Sequence, residues 1–100
     1  MNLKNEFQPI RDWSKERELF IKSNEEKHML KLYEESGELS KAILERDYIK
    51  IKDSIGDCVV VLTNIAYLSG FSIEECINYA YKEISNRKGK MINGTFVKDV

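Results

Sequence analysis

Helix breakers are scarce along this chain. Pro9 is the single proline, and five glycines are spread over 100 residues. Proline removes an N–H and clashes with the preceding helical turn, and glycine weakens helices through its backbone freedom, so their scarcity predicts long helices joined by short turns. No internal repeat or low-complexity linker divides the sequence, which reads as one domain over 1–100.

Apolar spacing then places the elements. Ile10, Trp13, Leu19 and Phe20 predict an amphipathic helix from about Pro9 to Lys22. Ser23 with Glu26 three residues later has the pattern of a capping box, so a second helix is expected from there to about Arg46–Asp47. The segment from Asp47 to Ser69 is rich in β-branched residues (Ile49, Ile51, Ile55, Val59, Val60, Val61, Ile65), which suit a buried strand. Its length without a turn signal favours a helix that is apolar on most sides, ended by Gly70. Ser72 with Glu75 repeats the capping pattern and opens a fourth helix to about Arg87. Asn93-Gly94 between the apolar pairs Met91-Ile92 and Phe96-Val97 signals a small β-hairpin, or a tail ordered by a partner. The expected fold is all-α, a four-helix bundle-type domain with a helical core at about 9–87 and a hairpin or tail at 88–100.

Composition narrows the partners. Hydrophobic residues make up 42% of the chain, an ordinary share for a globular core. Sixteen Lys+Arg against seventeen Asp+Glu leave a net charge of -1, so there is no global basic field to hold nucleic acid. The apolar run Cys58 to Ile65, broken by Thr63 and Asn64, falls far short of the roughly 20 residues that span a bilayer. The opening Met1-Asn2-Leu3-Lys4-Asn5-Glu6 is polar and has no signal-peptide apolar core, so the expectation is a cytoplasmic protein without membrane or nucleic-acid partners. A chain this short buries less than about two-thirds of its unfolded surface alone, which favours a homodimer or homotetramer. Cys58 and Cys76 lie in helical stretches without a histidine cluster and read as small buried hydrophobes.

Two acidic groups sit inside hydrophobic helices: Glu34-Glu35-Ser36-Gly37-Glu38 on the second and Asp53-Ser54-Ile55-Gly56-Asp57 on the third. At about 100° per residue, Glu35 and Glu38 share a face, as do Glu34 and Glu38, and Asp53 and Asp57. Asp57 runs directly into Cys58-Val59-Val60-Val61-Leu62, which draws it to the interior or its rim. Carboxylates gathered in such a place repel one another unless a cation neutralises them, and an all-oxygen donor set selects Mg²⁺ or Mn²⁺ over zinc. Gly37 and Gly56 are unfavourable inside helices and suggest that a backbone or ligand approaches there. Trp13 is a core residue by default, with base stacking as the functional alternative. Tyr33, Tyr67, Tyr79 and Tyr81 are expected in the core or an interface, and His28, near a helix start, at the surface.

These residues resemble the MazG-like all-α nucleoside triphosphate pyrophosphohydrolases, whose signature is ExxE on one helix and ExxD on the next. Glu35-Ser36-Gly37-Glu38 matches the first half, and the strings Lys31 to Ile43, Asp53 to Cys76 and Tyr81 to Lys90 are similar to that family. The resemblance implies hydrolysis of a nucleoside triphosphate between the α- and β-phosphates. It implies Mg²⁺ or Mn²⁺ on Glu35, Glu38 and Asp57, with Glu38 polarising a water and Glu34 assisting. It also implies phosphate contacts from Lys82, Asn86 and Arg87. Ser54 stands where the third acidic ligand is expected, so Asp53, one turn from Asp57, is assigned the missing carboxylate, directly or through a water. The competing reading is a catalytically impaired bundle that binds nucleotide or a protein partner on the same scaffold.

Overall fold

A computed structural model describes residues 6–100; the opening stretch Met1–Asn5 lies outside the described residues. The helices are α1 (Phe7–Glu16), α2 (Leu19–Lys22), α3 (Glu25–Leu44), α4 (Tyr48–Leu68) and α5 (Ile73–Ser85), followed by strands β1 (Gly89–Ile92) and β2 (Thr95–Lys98). The helical domain with a C-terminal hairpin is therefore as expected, with one correction. The first helix is not continuous to Lys22, because Glu18 adopts a left-handed conformation (φ 61°) and splits it into α1 and the short α2. Phe20 on α2 then stacks on Tyr67 of α4, ring centroids 4.0 Å apart.

α3 and α4 form a tight helical hairpin. The least exposed α3 positions are His28, Leu32, Glu35, Leu39 and Ala42, and those of one α4 stripe are Ile51, Ser54, Cys58, Val61, Ile65 and Leu68. Both stripes alternate steps of three and four residues, the spacing that keeps one face of a helix against a neighbour. Asp47 caps α4 by accepting from the Lys50 N–H, and the Ser72–Glu75 capping box on α5 forms reciprocally. The expected Ser23–Glu26 box does not. Asn24 caps α3 instead, accepting from the Lys27 N–H, and Ser23 Oγ lies 3.1 Å from Nδ1 of His28. This contact draws His28 inward, to 8% exposure, where a surface position was expected.

α1 packs across α4 through a buried polar contact: Ser14 Oγ donates to Asn64 Oδ1 at 2.7 Å, and Thr63 Oγ1 donates back to the Val59 carbonyl. With their hydroxyls and amide engaged, these side chains are tolerated inside. The buried apolar residues among those described are only Ala42, Val61 and Ala66. The cysteines are not core residues: Cys58 is half-buried and Cys76 exposed. Tyr33, Tyr67, Tyr79 and Tyr81 are likewise exposed, which removes the core reading for them.

α5 leaves α4 at a bend of 100° and buries none of its residues. The radius of gyration is 15.9 Å, against about 13 Å for a compact chain of this length. Among the described residues no single helix is long and apolar enough to cross a membrane. In the hairpin, Asn93 and Gly94 both have positive φ, the geometry of a two-residue type I′ turn, and Met91 faces Phe96 across the strands. Gly89 is required for a different reason. A Cβ there would meet the Val97 carbonyl oxygen and lie 2.7 Å from the Phe96 ring, which crosses over the glycine.

Two outcomes follow. Gly89→Ala is expected to abolish the cross-strand amide protection of β1 and β2, measured by hydrogen exchange, while the helical circular dichroism of the domain is retained. The second concerns pH. Arg11 holds the Glu74 carboxylate below its ordinary pKa, chiefly through a side-chain hydrogen bond. A depressed carboxylate pKa stabilises the folded chain above the unfolded-state value and loses that contribution as pH falls through the folded one. Glu74→Gln should therefore cost on the order of 1 kcal/mol at neutral pH, the upper end for a part-exposed pair. The difference from wild type should vanish in urea melts at pH values below the folded pKa of Glu74.

Candidate active site

Between α1 and the outer face of α4 runs an open cleft of about 750 Å³. Glu6, just before α1, lines it with Phe7 and Ile10 of α1, and Ile49, Lys50, Lys52, Asp53, Gly56, Asp57, Val59 and Val60 line it from α4. It adjoins a second space of about 410 Å³ bounded by Pro9, Ile10, Trp13, Asp57 and Val60. Ile10, Asp57 and Val60 border both, so the two spaces adjoin, and each by itself is within the size range of small-molecule sites. Asp53 and Asp57 line the same wall, as their four-residue spacing requires. Asp53 is exposed and Asp57 half-buried.

The α3 carboxylates lie differently. Glu35 sits on the seam that faces α4, its side chain 15% exposed, with Lys31 Nζ at 3.5 Å. Lys31 also approaches Glu34 at 3.4 Å, and these carboxylates, Glu34 first, raise the lysine pKa. Glu34 and Glu38 are exposed. Ser54 is buried at 7% in the same seam as Glu35, on the far side of Asp57 from the α1 cleft. Among the described residues, no three His, Cys, Asp or Glu side chains converge closely enough to hold a metal ion. Glu35, Glu38, Asp53 and Asp57 are thus two carboxylate pairs on adjacent helices, not a preformed cage.

The donor chemistry still suits a hard divalent cation. Among the described residues, the carboxylates of Glu6, Asp53 and Asp57 line these two spaces and no sulfur or imidazole does. Mg²⁺ is commonly held by one or two carboxylates, with waters and substrate phosphates completing its shell. Asp53 and Asp57 satisfy that minimum.

Trp13 is 48% exposed, not a core residue, and its indole borders the space next to Asp57. The Arg17 guanidinium lies 4.2 Å from its ring centroid and donates through Nη1 to the Trp13 carbonyl. Lys82, Asn86 and Arg87 are exposed near the end of α5 and do not line the cleft. The Asn86 amide donates to the Lys82 carbonyl and closes its own helix. Sequence reasoning missed Lys50 and Lys52, the cations on the Asp53 wall, although the alternation Lys50-Ile51-Lys52-Asp53 carried the signal. It also missed Arg17, one helical turn beyond Trp13. For Gly37 and Gly56, nothing among the described residues outside the glycine's own helical turns lies within 4 Å of an added Cβ, so no packing contact among them explains these glycines.

The structure is that of an all-α domain with carboxylate pairs on two adjacent helices. Residues 23–92 match the MazG nucleotide pyrophosphohydrolase domain, and the chain belongs to that family, whose members typically use a divalent metal. It is also similar to an uncharacterised 18.2 kDa protein from the rep-hol intergenic region of Haemophilus phage HP1 (strain HP1c1). The two are 42% identical over 57 residues, which cover 57% of this chain and 35% of the phage protein. The chain therefore spans about a third of that relative's length. No solved structure matches significantly. α1, with Trp13, precedes the matched region.

Because the space at both helical glycines is open, Gly37→Ala and Gly56→Ala are each expected to stabilise the chain by about 1 kcal/mol in urea denaturation. A loss of stability would mean that another surface occupies that space.

Proposed function

We propose that the chain is a Mg²⁺-dependent nucleotide pyrophosphohydrolase, with Mn²⁺ as a substitute ion, that converts an NTP or dNTP to the monophosphate and pyrophosphate in the cytoplasm. One observation carries the reading: a carboxylate pair, Asp53 and Asp57, lines one space and an exposed residue, Trp13, lines the space adjoining it at Asp57, in a chain of this family. A nucleotide needs both, stacking for its base and a place for its metal-bound phosphates. When bound, the ion would neutralise phosphate charge and lower the pKa of a water.

The chain's own residues take the remaining roles. Asp53 and Asp57 hold the ion from α4, with Glu35 and Glu38 supplying the α3 side. Glu38 polarises the attacking water and Glu34 assists it. Trp13 stacks on the base, polarised from its other face by Arg17. Lys50 and Lys52 offer cations to the phosphate tail along the Asp53 wall.

Lys82, Asn86 and Arg87 act on the cleft of a second copy. At about 1.5 Å per residue, Asp57 lies about 16 Å before the α4–α5 turn and Lys82 about 14 Å beyond it. With a 100° bend between the axes, the two positions are roughly 20 Å apart, and none of the three residues lines the cleft of its own chain. The exposed apolar residues of α5, Ile77, Tyr81 and Ile84, give that second copy its contact, in a homodimer or homotetramer.

Pyrophosphate release from the common NTPs and dNTPs with Mg²⁺ tests the reading. Turnover is expected, with Asp57→Asn lowering it by about a hundredfold or more, the scale for losing one electrostatic contact to developing charge. Asp53→Ala should weaken Mg²⁺ binding more than Ser54→Ala; the reverse order would remove Asp53 from the ligand set. The second reading, a bundle that binds nucleotide or a protein without turnover, is favoured by the buried Ser54 and by carboxylates that stay in two pairs. Nucleotide binding without pyrophosphate release would establish it.

A further inference from the structure

Among the described residues, one ion pair joins parts of the chain far apart in sequence. Arg11 on α1 meets Glu74 in the first turn of α5 with both terminal nitrogens, Nη1 to Oε1 at 2.6 Å and Nη2 to Oε2 at 2.8 Å. The other ion pairs link residues within about one helical turn. The Arg11 side chain keeps 12% exposure. Its Nε donates to Gln8 Oε1, and Gln8 Nε2 donates in turn to Asp12 Oδ1, so the guanidinium is fixed along both edges.

α1 is thereby pinned twice. Arg11 and Ser14, three residues apart, share a face; one meets α5 and the other meets Asn64 on α4. The Ser14–Asn64 hydrogen bond and the Phe20–Tyr67 stack hold α1 and the short helix after it to α4, and neither ties α1 to α5. A bidentate fork makes that tie directional, because a planar guanidinium matches a carboxylate in one orientation. The α1 residues that border the smaller space, Pro9, Ile10 and Trp13, are interleaved with these two anchors.

We infer that the Arg11–Glu74 pair is a positioning device for the cleft: it sets the placement of α1 so that the Trp13 indole borders the space that Asp57 lines. Its effect on catalysis rests on the nucleotide reading given above; its structural effect rests on the geometry of α1 alone. Neither Arg11 nor Glu74 lines the cleft, so both are positioning residues.

Arg11→Met, Glu74→Gln and the double variant test this. Trp13 is the only tryptophan, so acrylamide quenching of its emission reads its surroundings without nucleotide. Each single variant is expected to change the quenching constant about twofold, and the double variant no more than either single one, because the partners act as a unit. With nucleotide, KM should rise roughly tenfold while kcat stays within about twofold, the signature of lost binding with intact chemistry. Circular dichroism identifies any variant that fails to fold. Arg11→Lys, which keeps the charge without the fork, is the milder substitute and should shift quenching in the same direction. Wild-type quenching in folded variants, or effects that add in the double variant, would overturn the inference. If the wild-type protein turns over no nucleotide, the catalytic reading fails and the quenching result alone decides the placement of α1.

Discussion

The seam between α3 and α4 is the constraint on which the other elements depend. Each helix offers a stripe of low exposure, and the short turn at Glu45–Arg46 brings the two stripes face to face. The seam is not uniformly apolar. Glu35 and Ser54 interrupt it, where Leu or Val would bury more area and avoid a half-desolvated carboxylate. Lys31 offsets part of that cost from one turn away. Polar residues in the best-packed interface mark the level where stability gives way to function. Asp57 stands at the same level on the edge of the seam, turned to the cleft beneath α1.

Much of this was legible in the residues. The absence of prolines after Pro9, the length of the β-branched segment through Val59-Val60-Val61 and the Asn93-Gly94 pair dictated two long helices and a hairpin, because each acts through local backbone physics. Asp53 and Asp57 share a wall because helix geometry leaves them no alternative. The misses were tertiary. Glu18 takes a left-handed conformation and breaks the first helix so that Phe20 can reach Tyr67. His28 is drawn in by Ser23, and Arg11 finds its partner 63 residues away. Trp13 has helical spacing typical of a core residue, yet it is 48% exposed, with the Arg17 guanidinium over its ring. Periodicity reports which face is apolar, not what covers it.

That open apolar surface links the fold to the proposed activity. Three small or medium apolar residues form the buried core of the described chain, while α5 and the hairpin carry Ile77, Tyr81, Ile84, Met91 and Phe96 into solvent. A second copy would cover them and bring the basic end of α5 to a cleft it does not line in its own chain. In that arrangement assembly and substrate binding draw on the same surfaces, and the catalytic site matures only when the oligomer forms.

The most direct test of the central claim is paramagnetic relaxation. Mn²⁺ with a non-hydrolysable nucleotide, added to isotopically labelled protein, broadens signals close to the ion. The account predicts selective loss of the Trp13 indole N–H and the Gly56 and Asp57 amides. Broadening centred elsewhere, with those three signals sharp, would contradict it.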